Sequence, residues 1–335
     1  MFADGPRVHD YLAEMTREVF TGRDGPYLTV GEMPGVTYEQ ARLYTGEDRG
    51  ELNMVFQFDH VQLDQSKFNK FDYLGLDRVA LKETLHRWQR ELAATGWNSL
   101  YWNNHDQPRA VSRFGDDDPA HWYRSATALA TILHGMKGTP YIYQGEELGM
   151  TNYPFTCADQ HRDPEAANYY ASVLELGLDE GAALTGLAKI SRDNARTPMQ
   201  WDSTAHAGFT TGEPWLPVNP NYTWLNAAAQ QDATNSVFAY YRQLIQLRHD
   251  RPILIDGDFT PLFEDDPHIW AYTRMSDIES LLIIANCGTD PRTVTLDDGW
   301  LGARLVQANS PAPAIIDNHN IALDSWDARI YHKPA

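Results

Sequence analysis

The sequence predicts an α/β protein in which a parallel sheet with crossover helices is followed by a small antiparallel β domain. Over roughly the first 140 residues, short apolar runs alternate with amphipathic helical patterns, as in strands joined by helices. After residue 251, short strand patterns follow one another, separated by turns. Between the two parts, residues 144–235 mix turn formers, Pro and Trp without a clear period. A segment of that length without a regular pattern is usually a functional loop.

Each predicted element rests on its own pattern. The parallel strands are predicted at residues 27–32, 52–58, 98–102 and 140–143. Helices are predicted at residues 9–20, 79–94, 121–134 and 237–249. In the second of these, Leu81, Leu85, Trp88 and Leu92 follow the spacing of one helical face. The antiparallel strands are predicted at residues 269–274, 281–286, 293–296 and 303–306. We therefore expect a barrel-type part at residues 1–250, with a long loop at 144–235, and a β domain at 251–335.

Composition narrows the class of ligand. The 335 residues carry 27 basic and 46 acidic side chains, a formal net charge of −19, and 12% of them are aromatic. Such an acidic chain is a poor binder of nucleic acid, whose phosphates need Lys and Arg. Acidic side chains together with many Trp and Tyr suit neutral, hydroxyl-rich ligands. The sequence has no apolar run long enough for a membrane span and no apolar leader, so we expect a cytoplasmic protein without membrane partners.

The first chemical motif is Glu32, which directly follows a Val-containing strand and precedes Met33-Pro34-Gly35. Active-site residues of parallel barrels lie at the carboxyl ends of strands. A carboxyl group there is expected to be partly desolvated, which suits a general acid. The alternative is a Glu that caps the next helix, which begins near Thr37.

The second motif is WNNHDQPR at residues 102–109, a dense polar cluster after the third strand. His105 and Asp106 are adjacent, and Arg109 could pair with a carboxylate through two hydrogen bonds. The alternative is a polar turn with a capping Asp. No second His stands at a metal-ligand spacing, and the two cysteines form no metal motif, so we expect neither metal nor cofactor.

Two further motifs lie nearby. RDNARTPMQWD at residues 192–202 combines two Arg with Trp, which suits sugar binding, although a loop held by its own salt bridges is an equally good interpretation. At residues 141–147, YIYQGEE ends the fourth strand, and a charge at a helix N-terminus is the favoured interpretation there. Because carboxylates follow two strands, the residues modestly favour glycosidic chemistry, in which one carboxyl protonates the leaving oxygen.

The motifs VGEMPG, YWNNHDQPR, YIYQGEELG and RDNARTPMQW, in this order and spacing, resemble the α-glucosidase branch of the α-amylase family, in particular oligo-1,6-glucosidases and glucan 1,6-α-glucosidases (dextran glucosidases). The resemblance covers nearly the whole chain. It implies that Glu32 is the general acid/base and Asp106 the transition-state stabiliser. It also implies that His105 and Arg192 bind the sugar, and it leaves Arg196 as a structural partner.

One departure from the family pattern changes the expectation. The family's aspartate nucleophile follows the fourth barrel strand, within a Gly-Phe-Arg-x-Asp type motif, and no such motif lies in the 31 residues before Glu32. The residue beside the nucleophile, which helps to choose α-1,6 over α-1,4 bonds, belongs to the same missing part. The resemblance therefore implies the C-terminal half of a (β/α)8 barrel followed by the β domain, with four strands where a closed barrel has eight.

The expected function is that of an exo-acting, retaining α-glucosidase acting on α-1,6 bonds at the ends of oligosaccharides, here in a chain inactive or nearly so by itself. The alternatives are a non-catalytic carbohydrate-binding remnant, an α-1,4-glucosidase and a trehalose-6-phosphate hydrolase. A sucrose isomerase would carry a product-steering loop after Arg109, and none is evident. Because a half-barrel exposes two strand edges, we also expect self-association.

Overall fold

The computed structural model describes residues 4–25 and 27–335. The helices are α1 (Val8–Met15), α2 (Tyr38–Thr45), α3 (Arg78–Glu91), α4 (Ala110–Phe114), α5 (Trp122–His134), α6 (Pro164–Leu176), α7 (Glu180–Ile190), α8 (Asp193–Arg196), α9 (Ala227–Gln231), α10 (Val237–Asp250) and α11 (Ile253–Asp256). The strands are β1 (Val30–Glu32), β2 (Met54–Phe56), β3 (Ser99–Leu100), β4 (Thr139–Pro140), β5 (Asp258–Leu262), β6 (Ile269–Met275), β7 (Glu279–Asn286), β8 (Arg292–Thr295), β9 (Arg304–Ala308), β10 (Asn320–Leu323) and β11 (Ala328–Pro334). Among these described residues, no helix combines the length and the apolar character that a bilayer crossing needs.

The first four strands form half of a parallel barrel. β1 pairs with β2 in parallel, and β3 pairs with β4 in parallel. A parallel bridge between Val55 and Asn98 joins the two pairs, so the order is β1-β2-β3-β4. α3 follows β2 and α5 follows β3, as the crossover connections of parallel strands require. The carboxyl ends of the four strands therefore lie along one edge of the sheet, which is where the predicted chemical residues occur.

The helix and strand predictions are confirmed for this half-barrel. All four strands lie inside the predicted ranges or within one residue of them. The amphipathic helix predicted from residue 79 is α3, and its Leu81, Leu85 and Trp88 are buried. Asp77 begins α3 by accepting hydrogen bonds from the backbone of Val79 and Ala80, as a helix N-cap does.

The expectation of one long loop at 144–235 needs correction, because this segment contains helices α6 to α9. α6 and α7 pack against each other, and each begins at an aspartate cap, Asp163 and Asp179. Both helices bury only a few side chains, and Leu174, Leu176 and Leu178 are exposed. The period of 3.6 residues is therefore weak in the sequence. The Asp-Pro-Glu start of α6 is nevertheless a recognised helix signal.

The C-terminal part is antiparallel, as predicted. Its larger sheet has the order β5-β6-β7-β11-β9, and β8 pairs with β10 in a second, two-stranded sheet. β7 is buried on both faces: Leu281, Ile283 and Ala285 join the core shared with α5, while Leu282 and Ile284 join the core under the small sheet. This alternation follows from the two-residue period of a strand. It fastens the antiparallel sheet to the half-barrel.

Candidate active site

Glu32 ends β1, where it lies in register with Phe56 of β2. Its side chain is exposed and opens onto a groove formed with the start of α1 and with Tyr44. The predicted desolvation of this carboxyl is therefore wrong for the described chain, since no described element covers it. The capping alternative is also wrong, because Thr37 caps α2 in a reciprocal arrangement with Gln40.

Asp106 lies in the loop after β3, between two guanidinium groups. Its Oδ1 accepts a hydrogen bond from Arg196 Nη2 at 2.5 Å and another from Arg192 Nη1 at 3.3 Å. The Nε of Arg196 also donates to the backbone oxygen of His105 at 2.9 Å. The two arginines belong to the segment around α8, so this segment holds the loop after β3 in place.

The electrostatics of this cluster favour an ionised Asp106. Partial burial raises the pKa of Asp106, but the charges of His105, Arg192 and Arg196 outweigh burial and hold this pKa below its usual value. The Nε2 of His105 lies 3.5 Å from Asp106 Oδ2. Asp106 is still 41% exposed, so its carboxylate is charged and open to a ligand.

Arg192 is the centre of a second set of ion pairs that sequence reasoning missed. Its Nε donates to Asp163 Oδ2, and its Nη2 donates to Glu165 Oε2 at 2.7 Å. Burial lowers the pKa of Arg192, but Asp163, Asp106 and Glu165 together raise it above its usual value. The other oxygen of Asp163 caps α6. The Asp-Pro-Glu start of α6 could have revealed Asp163 as a cap, but no local signal shows its contact with Arg192.

Arg109 does not act as predicted. It is fully buried and donates to the backbone oxygens of Gln144, Asn194 and Ala195 rather than to a carboxylate. Burial lowers its pKa to about 10. The Arg109 guanidinium therefore joins the segment after β4 to the segment around α8, which is a structural role.

Arg113 of α4 supports the same loop from below. Its guanidinium makes two hydrogen bonds with the carboxylate of Asp64, at 2.8 and 2.6 Å, and both side chains are almost completely buried. Its Nη1 also donates to Gln107 Oε1 at 2.7 Å. Gln107 directly follows Asp106, so a buried ion pair fixes the residue next to the candidate stabiliser.

The turn after β4 buries a carboxyl group. Glu146 is enclosed and accepts a hydrogen bond from the Tyr241 hydroxyl at 2.8 Å. Burial raises the pKa of Glu146 to about 8, so it is neutral over much of the neutral range. The favoured interpretation placed carboxyl groups at a helix N-terminus, and Glu146 and Glu147 do begin a short 3-10 helix, Glu146–Leu148; burial disfavours the charge on Glu146. Glu147 is the residue that accepts from the backbone of Gly145.

The structure brings three of the four predicted site residues together. His105, Asp106 and Arg192 form one cluster, and Arg196 completes it. Glu32 lies at the same edge of the sheet, separated by β2, and in the described residues no hydrogen bond or ion pair joins it to the cluster. Two carboxyl groups of different character therefore border the open end of the half-barrel. No group of three or more candidate metal ligands occurs in residues 4–25 and 27–335.

The chain is similar in sequence to proteins of known family. Residues 1–257 match the alpha-amylase family, described as the alpha amylase catalytic domain. An oligo-1,6-glucosidase of Bacillus cereus is 53% identical over 286 residues, which cover 85% of this chain and 51% of that protein. The chain spans about half the length of the curated relatives it matches, with 51%, 55% and 59% of three of them covered.

Solved structures show the same similarity. The trehalose-6-phosphate hydrolase of Bacillus licheniformis superimposes with a TM-score of 0.93 at 40% identity, covering 100% of this chain and 60% of that chain. An isomaltulose synthase mutant of Erwinia rhapontici NX5 also superimposes with a TM-score of 0.93, at 38% identity, covering 98% of this chain and 59% of that chain. The same architecture therefore occurs in proteins named for different reactions, one a hydrolase and one a synthase.

Proposed function

The chain belongs to the alpha-amylase family of glycoside hydrolases, and on that premise we propose that it carries the acid/base and the charge-stabilising part of an exo-acting, retaining α-glucosidase. Its substrates would be the α-1,6-linked glucose residues at the ends of isomaltooligosaccharides or dextran. The observation that supports this proposal most strongly is the Asp106 cluster at the carboxyl edge of the sheet. Relatives named oligo-1,6-glucosidase support the α-1,6 bond as substrate.

Each side chain then has a distinct task. Glu32 donates a proton to the glycosidic oxygen as the bond to the anomeric carbon breaks, while an aspartate nucleophile forms the glucosyl-enzyme bond. Water then displaces the sugar and gives its proton back to Glu32. Asp106, kept ionised by its arginines, stabilises the positive charge that develops at the anomeric carbon. His105 and Arg192 donate hydrogen bonds to glucose hydroxyls.

Among the described residues no strand precedes β1, so none of them supplies the aspartate nucleophile. We therefore propose that the chain alone binds sugar but hydrolyses it very slowly. Loss of one member of a catalytic set typically lowers the rate by orders of magnitude. Turnover by the purified chain on isomaltose or an aryl α-glucoside at the level of an intact glucosidase would contradict this.

Calorimetry with isomaltooligosaccharides tests the binding part of the proposal. We expect Asp106→Asn to weaken binding, because the ion pairs that orient Arg192 and Arg196 are lost. Asp298→Asn is the matched control, since Asp298 is 94% exposed in the β domain. Equal affinity of the chain and of the Asp106 variant would show that the cluster is not the sugar site.

A second candidate function is hydrolysis of trehalose 6-phosphate. It is favoured by relatives of that name at 46% and 40% identity. A phosphorylated disaccharide needs cationic partners, and Arg192 and Arg196 are largely neutralised by carboxylates, so isomaltose is the preferred ligand. Competition between the two sugars in the same calorimetric experiment separates the candidates. A cytoplasmic location remains part of the proposal, to be checked by cell fractionation.

A further inference from the structure

A small cavity lies beneath the loop that carries Asp106. Polar side chains from three segments face it: Asn103 from the loop after β3, Glu146 from the turn after β4, and Tyr241 from α10. The charged Arg109 lines it as well, with its guanidinium already bonded to backbone oxygens. The rest of the lining is apolar or glycine: Trp102, Ala110, Val111, Ala126, Leu129, Gly149 and Met150. The volume is about 10 Å³, which is roughly the space that one buried water requires.

Three polar atoms of the residues that line this cavity have no hydrogen-bond partner in the described part of the protein. Asn103 Nδ2, Asn103 Oδ1 and Glu146 Oε2 are buried and make no hydrogen bond with any described residue. Asn103 is 3% and Glu146 6% exposed, so bulk water does not reach them. Buried polar groups in native proteins nearly always have a partner, from the protein or from an ordered water. Three such atoms around one cavity are therefore an observation that points to a ligand.

We propose that this cavity is an internal water site, in which one ordered water joins the Asn103 amide to Glu146 Oε2. The other oxygen of Glu146 already accepts from the Tyr241 hydroxyl at 2.8 Å. A continuous chain of hydrogen bonds then runs from the loop after β3, through the water and Glu146, to α10. Because Asn103 lies three residues before Asp106, this chain is a positioning device for the candidate stabiliser. This positioning role does not depend on whether the polypeptide is catalytically active by itself.

The protonation state of Glu146 decides which groups donate and which accept along these hydrogen bonds. The groups that face this carboxyl are Tyr241 from α10, Glu147 from the same turn and Arg109 from the loop after β3. Desolvation is the largest influence and keeps the pKa of Glu146 at about 8, because Tyr241 and Arg109 only partly offset it and Glu147 adds to it. At neutral pH, Glu146 Oε2 therefore carries a proton and donates to the water, which can donate in turn to Asn103 Oδ1.

The pH dependence of unfolding tests this assignment. In the unfolded chain Glu146 ionises near the ordinary glutamate pKa of 4.5, whereas in the folded chain it keeps its proton up to a pKa of about 8. Between these values the folded state binds one more proton, so the unfolding equilibrium constant rises about tenfold for each pH unit. Glu146→Gln, which keeps the shape and cannot ionise, should remove that part of the slope. The exposed Glu175→Gln is the matched control and should leave the slope unchanged.

Infrared spectroscopy provides a signature that a merely structural role would not give. The wild-type chain should show the carbonyl stretch of a protonated carboxylic acid at pH 7, and Glu146→Gln should abolish it. Tyr241→Phe should keep the band but shift its frequency, because the donor to Glu146 Oε1 is lost. A wild-type chain without this band at pH 7, or with the same pH slope as Glu146→Gln, would overturn the protonated chain of hydrogen bonds.

A high-resolution crystal structure of the chain tests the water itself. We expect electron density for one water within hydrogen-bond distance of Glu146 Oε2 and of the Asn103 amide. Asn103→Leu, which fills the cavity with an apolar side chain, should displace this water and speed hydrogen exchange of the backbone amides from residue 103 to 107. An empty cavity, or unchanged exchange in a folded Asn103→Leu chain, would contradict the positioning role.

Discussion

Asp106 illustrates how one residue acquires a chemical character from distant parts of the chain. The carboxylate comes from the loop after β3, whereas the guanidinium groups that keep it ionised come from residues 86 and 90 positions later. The motif WNNHDQPR placed Asp106 correctly at a strand end. The contact with Arg196 could not be predicted, because no local pattern encodes a pairing across that separation. The family resemblance left Arg196 as a structural partner, and the groups it contacts are the Asp106 carboxylate and the backbone oxygen of His105.

The charge balance at Asp106 leads to a titration prediction. Arg196→Gln removes one of the two guanidinium groups, so we expect the pKa of Asp106 to rise toward its usual value. Carboxyl-carbon NMR titration of the chain measures this shift. Arg17→Gln, in an exposed pair with Glu18, is the control and should leave Asp106 unchanged. The same pKa in all three proteins would mean that Arg196 does not act on Asp106 in solution.

For Glu32, the local sequence predicted the strand correctly, but it did not predict how exposed the side chain is. The strand and its terminal carboxyl were predicted from residues 27–32, and β1 ends at Glu32. Desolvation was expected because the carboxyl lies at the end of an apolar strand. Enclosure depends on elements elsewhere in the chain, and the described residues leave Glu32 exposed.

Among the elements of the site, the turn after β4 leaves little space for a side chain at Gly145. Gly145 has a φ of +91°, and a Cβ there would lie 2.5 Å from Met150 Sδ and 2.9 Å from Arg109 Nη1. Gly177, at the end of α6, also has a positive φ of +63° but has open space around it. Comparison of the two glycines separates the effect of backbone strain, which both positions have, from that of steric crowding, which only Gly145 has.

We therefore predict different costs for the same substitution at these two glycines. Gly177→Ala should lower the free energy of unfolding by about 1 kcal/mol through left-handed backbone strain alone. Gly145→Ala should lower the free energy of unfolding by the same strain and by a further ~1–3 kcal/mol, because its methyl group overpacks against Met150 and Arg109. Urea denaturation of both variants measures the difference. If the two variants were equally stable, the turn would be able to relax and would not fix Glu146.

The elements were predictable where their periods were strong. The four parallel strands and α3 follow from apolar runs and one amphipathic face, since both patterns are local. β5, β10 and β11 were not predicted: β5 contains a Pro at the sheet edge, and β10 is only four residues long. Their strand character depends on pairing with β6, β8 and β7, which a single sequence does not show.

At the scale of the whole molecule, the half-barrel presents two strand edges. In residues 4–25 and 27–335, β1 and β4 each pair on one side only. Unpaired edges are templates for association with other strands. We predict that the purified chain forms larger species as its concentration rises, measured by size-exclusion chromatography with light scattering. A single monomeric peak over a hundredfold range of concentration would contradict this prediction.

Complementation tests whether this half-barrel supplies the acid/base while another chain supplies the nucleophile. The chain is co-expressed with a separate chain that carries four βα units and the aspartate nucleophile of a relative. We predict that hydrolysis of isomaltose appears in the complex and falls about 10²–10⁴-fold on Glu32→Gln, the range expected for loss of a general acid. Hydrolysis by the chain alone, or activity of the complex that Glu32→Gln leaves intact, would contradict this division.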